Sequence, residues 1–125
     1  MKVLICDDDK CIVDEIKNNL NTFSDKHRIA FNIDLFYNGV ELLNSNISYD
    51  MAFIDIEMPL VNGLTLSAQL KKVNSNIIIF IITSHDAYLD DAMDLDVFRY
   101  LSKPIDNNRF FRALNTAINY YHSNT

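Results

Sequence analysis

Polar side chains that could do chemistry together follow four separate apolar runs of the chain. They are two adjacent carboxylates, a third carboxylate, a hydroxyl and an ammonium: Asp7 and Asp8, Asp55, Thr83, and Lys103. Carboxylates held close together raise each other's pKa or repel one another, and a divalent cation removes that cost. Mg²⁺ suits such a group best, because it needs few protein carboxylates and keeps several waters. The pattern therefore predicts a magnesium site, provided that the fold brings these residues together.

Asp55 would lie at the centre of such a site. A carboxylate is a known nucleophile in aspartyl-phosphate chemistry. Phosphoryl transfer mainly requires positioning and charge neutralisation, which the metal, the Lys103 ammonium and the Thr83 hydroxyl would supply. Each residue alone is ordinary, since acidic triplets usually form solvated loops or helix caps and a lysine before proline is usually a surface charge. The prediction that Asp55 accepts a phosphoryl group depends on the whole combination in this order.

The apolar runs have the pattern of strands, and amphipathic stretches alternate with them. The predicted strands cover residues 2–6, 29–36, 51–54, 77–82 and 97–101. The predicted helices cover residues 10–23, a short segment near 40–43, residues 64–70, residues 86–95, and a last segment that Asp106 caps and that runs to Tyr121.

This alternation predicts an α/β fold with a parallel sheet and right-handed crossovers. Residues 77–82 are apolar on both faces, which is typical of a parallel strand covered by helices on both sides. The common arrangement of five such strands is a doubly wound sheet of order 2-1-3-4-5. Strands 1 and 3 are then neighbours, and ligands bind beyond their carboxyl ends. We therefore expect the carboxylates that follow these two strands to converge.

Length and charge limit the remaining possibilities. The 125 residues fit one domain, 1–125, and 49% of them are hydrophobic, as in a globular protein with a core. The formal net charge of −6 disfavours direct contact with nucleic acid or an anionic membrane. The N-terminus does not read as a signal peptide, and the longest apolar run is too short to span a bilayer. We expect a cytoplasmic protein.

The chain resembles, over its whole length, the receiver domains of bacterial two-component response regulators. The motifs that carry the resemblance are VLICDD at 3–8, FIDIEMP at 53–59 with Gly63, IITS at 81–84 and YLSKP at 100–104. The resemblance implies a flavodoxin-like (βα)5 domain in which Asp55 is phosphorylated by the phosphohistidine of a cognate histidine kinase. Such a domain is not an enzyme with an external substrate, because it promotes only its own phosphorylation and dephosphorylation.

The resemblance also implies a role for each motif residue. Mg²⁺ would be bound by Asp7, Asp8, Asp55 and the main-chain carbonyl of Glu57, with Asp8 favoured over Asp7 as a direct ligand. Two positions, Glu57 and His85, depart from the commonest pattern of the family. The Glu57 carboxylate would add a negative charge that tunes the phosphoryl lifetime, unless it is simply a solvated loop side chain. His85, two residues after the predicted switch threonine, is open to the same two interpretations.

Two further residues would form the conformational switch. Thr83 would hydrogen-bond the phosphoryl group, and Tyr100 would follow it from an exposed to a buried rotamer. Lys103 would pair with the phosphate, and the Lys103–Pro104 peptide bond would be cis. A core aromatic on the last strand is an equally good interpretation of Tyr100. The readout would be a face made by the fourth predicted helix, the fifth strand and the last helix.

The segments 83–88 and 100–105 resemble receivers that precede a LytTR-type DNA-binding domain. The chain ends with its last predicted helix, so we expect any such domain to lie outside these residues, the alternative being a single-domain receiver. The family also implies homodimerisation on phosphorylation through the last helix. Phe110 and Phe111 on that helix cannot both point inward, so either one belongs to a contact surface or both are partly buried.

The sequence argues against three rival interpretations. A haloacid-dehalogenase-type phosphatase needs an acidic pair after its lysine, whereas Asp90 and Asp91 precede Lys103. A flavodoxin-like cofactor carrier needs a phosphate loop rich in Ser, Thr or Gly, whereas the acidic residues 7–9 would repel a cofactor phosphate. A degenerate receiver that only mediates protein contacts has no support in the sequence, because every expected site residue is present.

Overall fold

The computed structural model describes residues 1–84 and 97–124, in which strands and helices alternate as far as the fourth strand, and a last strand and helix follow in the second range. The strands are β1 (Lys2–Cys6), β2 (Asn32–Phe36), β3 (Met51–Ile54), β4 (Ile78–Thr83) and β5 (Arg99–Ser102). The helices in these ranges are α1 (Lys10–His27), α2 (Val40–Leu43), α3 (Gly63–Val73) and the C-terminal helix, α4 (Asn107–Ser123). The helix predicted at 86–95 and the side chain of His85 lie outside the described residues.

The five strands form one parallel sheet of order β2-β1-β3-β4-β5, which confirms the predicted α/β, doubly wound topology. Cys6 at the end of β1 is in register with Ile54 at the end of β3. The residues that follow, Asp7 and Asp55, therefore leave the same edge of the sheet side by side. Thr83 at the end of β4 is in register with Ser102, the residue before Lys103.

Helices cover both faces of the sheet, so the domain has two hydrophobic layers. On one face, α1 and the C-terminal helix pack on a core in which the rings of Phe53 and Phe80 stack at 4.7 Å and those of Phe53 and Phe110 at 5.5 Å. On the other face, α2 and α3 pack on Leu4, Ile54 and their neighbours. Every residue of β3 and β4 is buried, as expected for central strands covered on both sides.

The predicted element boundaries differ most from the observed ones in the connection from α1 to β2. The helix continues four residues past the predicted end at Phe23 and closes at Arg28, whose φ of 54° is left-handed. The N–H groups of both Arg28 and Ile29 donate to the carbonyl of Ser24, so residue 29 belongs to the helix end and not to the predicted strand. The apolar side chains of Ile29 and Phe31 still pack on the core, which explains the misleading pattern.

The C-terminal helix begins as predicted, because the Asp106 side chain accepts a hydrogen bond from the Arg109 N–H. Phe110 is fully buried and Phe111 is only partly buried, so the two rings differ in their burial and only Phe111 leaves part of its surface accessible. None of the helices in the described ranges is long and apolar enough to cross a membrane.

Candidate functional site

The three acidic residues after β1, Asp7, Asp8 and Asp9, lie in three different environments. Asp7 is 2% exposed, and its N–H continues the sheet by donating to the carbonyl of Phe36 at 3.1 Å. Asp8 is exposed. Asp9 caps α1, since its carboxylate accepts a hydrogen bond from the Cys11 N–H at 2.9 Å. The cap fixes the start of the helix and so the direction in which Asp7 and Asp8 leave the strand.

Asp55 follows β3 and is 5% exposed, with its N–H donating to the carbonyl of Cys6 at 3.1 Å. The loop after it folds back so closely that Gly63 packs on the Asp55 backbone. A Cβ atom at Gly63 would lie 2.0 Å from the carbonyl oxygen of Asp55, closer than any non-bonded contact allows. The N–H of Gly63 also donates to the carbonyl of Ile56 at 2.8 Å. Only glycine fits here, and its close approach fixes the backbone that carries Asp55.

The structure brings the three carboxylates together. One oxygen atom from each of Asp7, Asp8 and Asp55 lies within 4.8 Å of the other two. The exposed side chain of Glu57 is outside this group of described carboxylates, so its predicted ligand, the main-chain carbonyl, stays a prediction. The convergence follows directly from the register of β1 and β3.

Lys103 bridges two of these carboxylates. Its Nζ lies 2.9 Å from Asp7 Oδ2 and 3.3 Å from Asp55 Oδ2. The lysine is held by its own backbone, because its N–H donates to the carbonyl of Thr83 at 3.1 Å, and the Lys103–Pro104 bond is cis as predicted. Burial lowers the pKa of Lys103, but the contacts with Asp7 and Asp55 outweigh it and leave the pKa raised. The ammonium therefore stays charged.

The charged form of the Asp7 carboxylate is disfavoured by its surroundings. Burial raises its pKa and the charge of Asp55 adds to the rise, while the Asp9 N–H and the Lys103 ammonium only partly offset it. Its Oδ2 atom is buried and accepts no hydrogen bond from the described residues apart from the ion pair with Lys103. A buried carboxylate with one lysine counterion, beside two further carboxylates, fits a small divalent cation with oxygen ligands.

Thr83 and Tyr100 lie on neighbouring strands near this edge. Thr83 is completely buried at the end of β4. Tyr100 on β5 is half-buried and packs against the hydrophobic core on the α3 side of the sheet, in register with Ile81. This intermediate burial is compatible with both interpretations of Tyr100, so the switch roles of the two residues stay predictions.

Two further residues, Cys6 and Leu60, lie in or beside the site. Burial and the neighbouring carboxylates raise the pKa of the Cys6 thiol to about 12, which keeps it protonated and unreactive near neutral pH.

Leu60, in the loop after Asp55, is 88% exposed with a φ of 72°, and the Val61 N–H donates across it to the carbonyl of Pro59 at 2.8 Å. This strained three-residue turn has no signature in the sequence, because leucine rarely adopts a positive φ.

Comparison with known proteins decides the family. A model described as the response regulator receiver domain matches residues 3–115. This chain belongs to that family. Receiver domains are the signalling domains of two-component systems. The sensory transduction protein LytR of Staphylococcus haemolyticus is 34% identical over 118 residues, which are 92% of this chain and 44% of that protein. The chain spans about half the length of the curated relatives it matches.

Solved structures of receiver domains share the fold. A CheY-like receiver domain protein from Methanospirillum hungatei superposes with a TM-score of 0.82 at 17% identity, covering 99% of this chain and 98% of that one. The response regulator TrrA from Thermotoga maritima, solved in complex with Mg²⁺ and BeF, has a TM-score of 0.77 at 24% identity, covering 93% and 97%. These similarities agree with the five-stranded parallel sheet described above.

Proposed function

We propose that residues 1–125 form a receiver domain that accepts a phosphoryl group on Asp55 from the phosphohistidine of a cognate histidine kinase. The observation that carries the proposal is the meeting of three carboxylates with the Lys103 ammonium, 3.3 Å from Asp55 Oδ2. The fold alone would not justify it, because the same sheet supports many functions. The side chains at this edge are those that phosphoryl transfer to a carboxylate requires.

In the transfer step, an Asp55 carboxylate oxygen attacks phosphorus. The P–N bond of the phosphohistidine breaks as the O–P bond forms, so the imidazole leaves and Asp55 becomes an acyl phosphate. Lys103 supplies positive charge beside the incoming group, and its backbone tether to Thr83 holds it in position. Gly63 packs on the backbone of Asp55 and so helps to fix the position from which the carboxylate projects. Later hydrolysis of the acyl phosphate returns the domain to its resting state.

Mg²⁺ is the proposed cofactor, bound by Asp7, Asp8, Asp55 and the main-chain carbonyl of Glu57. The support is the 4.8 Å grouping of the three carboxylates, which have the Lys103 ammonium as their cationic partner among the described residues. A receiver of the same fold was solved with Mg²⁺ and BeF. When bound, the metal would neutralise both the carboxylates and the phosphoryl oxygens. Asp8 is the favoured direct ligand among the first pair, because it is exposed whereas Lys103 already occupies Asp7.

The proposed response is a two-state shift. The Thr83 hydroxyl would donate a hydrogen bond to a phosphoryl oxygen, and Tyr100 would move further into the core. The half-buried position of Tyr100, in register with the strand that ends at Thr83, supports the coupling. The output would be a LytTR-type DNA-binding domain in a longer protein, as the names of the LytR relatives suggest. The receiver domain would also form a homodimer on phosphorylation. The acidic receiver itself would not contact DNA, and the whole protein would act in the cytoplasm.

Beryllofluoride, which mimics a phosphoryl group, tests this proposal by NMR. With Mg²⁺ present, we expect beryllofluoride to shift the amide signals of Asp55, Thr83 and Lys103 and the ring signals of Tyr100. Asp55→Asn should remove every shift, because the mimic needs the carboxylate. Thr83→Ala should keep the shifts at Asp55 and lose those of the Tyr100 ring. A wild-type spectrum that does not respond would contradict the proposed function.

A further inference from the structure

A surface groove between α1 and the C-terminal helix has no part in the phosphoacceptor site. Its volume is about 410 Å³. Phe23, which is 3% exposed, and the partly buried Phe111 lie at its base, and the ring of His27 stacks on that of Phe23 at 4.1 Å. With Lys26 and Arg112 these residues define what we call the aromatic groove. It is large enough for one bulky side chain, which would contact the exposed ring of His27 and the accessible part of Phe111.

The walls of the aromatic groove are positively charged. Lys26 on α1 and Arg112 on the C-terminal helix are both exposed, and no carboxylate is among the described residues that line the groove. Apolar surface flanked by a cation on each side is suited to a ligand that is apolar in the middle and acidic at its ends.

Positive charge continues across the same helix. Arg112 also lines a second groove of about 370 Å³, together with Arg99 and Arg109. The C-terminal helix carries no Asp or Glu in its 17 residues, although the whole chain has a net charge of −6. Cationic side chains therefore line both grooves beside the C-terminal helix, although the chain as a whole is acidic, and this favours an acidic partner over a neutral one.

We propose that the aromatic groove binds an acidic segment of a partner protein. A bulky apolar side chain of the segment packs on the exposed ring of His27 and on the accessible part of Phe111, and flanking carboxylates contact Lys26 and Arg112. A protein segment fits better than the phosphates of nucleic acid or of a lipid surface, because phosphates would leave the apolar part of the groove without a contact. This binding does not depend on phosphorylation of Asp55.

A titration followed by amide NMR tests the proposal on the full chain. The probe is a short blocked peptide in which glutamates flank a Leu-Phe pair. We expect it to shift the amides of Phe23, Lys26, Phe111 and Arg112 in a saturable way. Two control peptides, one with lysine in place of glutamate and one with alanine in place of Leu-Phe, should each bind about tenfold more weakly or not at all.

Matched variants distinguish the effect of the cations that flank the aromatic groove from the effect of the net charge of the domain. Lys26→Glu and Arg112→Glu should each weaken peptide binding about tenfold, whereas Lys72→Glu, an exposed lysine of α3, should leave it unchanged. All three variants should still take up a phosphoryl group, so that failure here is distinct from failure of the proposed function.

Three results would overturn the proposal: shifts that map away from the aromatic groove or are absent, equal binding of the lysine peptide, or shifts of the same residues on concentrating the protein without peptide. The last result would identify a second copy of this chain as the occupant.

Discussion

Replacement of Gly63 by alanine is expected to lower the free energy of unfolding by about 3 kcal/mol, at the upper end of overpacking effects. The new Cβ would lie 2.0 Å from the carbonyl oxygen of Asp55 and 2.9 Å from the Cα of Ile56. Both are backbone atoms, so relief of the clash must displace the segment that carries Asp55. The sign is opposite to that of helix propensity, which alone would favour alanine at this first residue of α3. Phosphoryl uptake should fall with stability.

Gly39→Ala provides a matched control within the same chain. A Cβ at Gly39 would lie 3.0 Å from Cγ1 and 3.1 Å from Cβ of Val61, tight contacts that a shift of a few tenths of an ångström relieves, unlike the 2.0 Å approach at Gly63. We expect a loss below about 1 kcal/mol for this variant. Urea unfolding of both variants measures the difference. Equal stability of Gly63→Ala and the wild type would show that the Asp55 backbone is not held by this contact.

Replacement of Lys103 by methionine is expected to strengthen Mg²⁺ binding about tenfold, or about 1.4 kcal/mol, while slowing phosphoryl uptake about a hundredfold. The lysine ammonium lies 2.9 Å from Asp7 Oδ2 and 3.3 Å from Asp55 Oδ2, so it competes for the charge that would attract the metal. Its removal leaves the carboxylates without their protein counterion. The same removal takes away the positive charge beside the incoming phosphoryl group, which explains the opposite effect on the reaction.

Lys72→Met makes the same change of charge on the exposed surface of α3 and should alter neither property. Titration calorimetry with MgCl2 gives the affinities, and the rate of mass gain in acetyl phosphate gives the uptake. Unchanged or weaker Mg²⁺ binding by Lys103→Met would mean that the ion pairs seen here do not oppose the metal.

Sheet order and the position of the carboxylates were predictable from the sequence, because both depend on backbone. The uninterrupted apolar residues 51–54 and 77–82 mark buried strands, and strict alternation with helices leaves few topologies. Once β1 and β3 are neighbours, Asp7 and Asp55 have to meet. The cap at Asp106 was predictable for a similar reason, since it needs only local chemistry.

Side-chain partners and unusual backbone were not predictable. Nothing in the sequence tells whether Lys103 pairs with Asp55 alone or also with Asp7, because that choice depends on distances between strands. The close approach of Gly63 to Asp55 is a long-range packing event, although the glycine itself belongs to the family motif. Leu60 adopts a positive φ that its residue type disfavours, so tertiary constraint overrides the local preference there.

The central claim is that Asp55 accepts a phosphoryl group with the help of a divalent cation. Intact-mass spectrometry after incubation with acetyl phosphate and Mg²⁺ tests it most directly, beside Asp55→Asn and a sample in excess chelator. The proposed function predicts the mass gain of a single phosphoryl group in the wild type, with no gain in the variant or in the chelated sample. An equal gain in Asp55→Asn, or none under any condition, would contradict it.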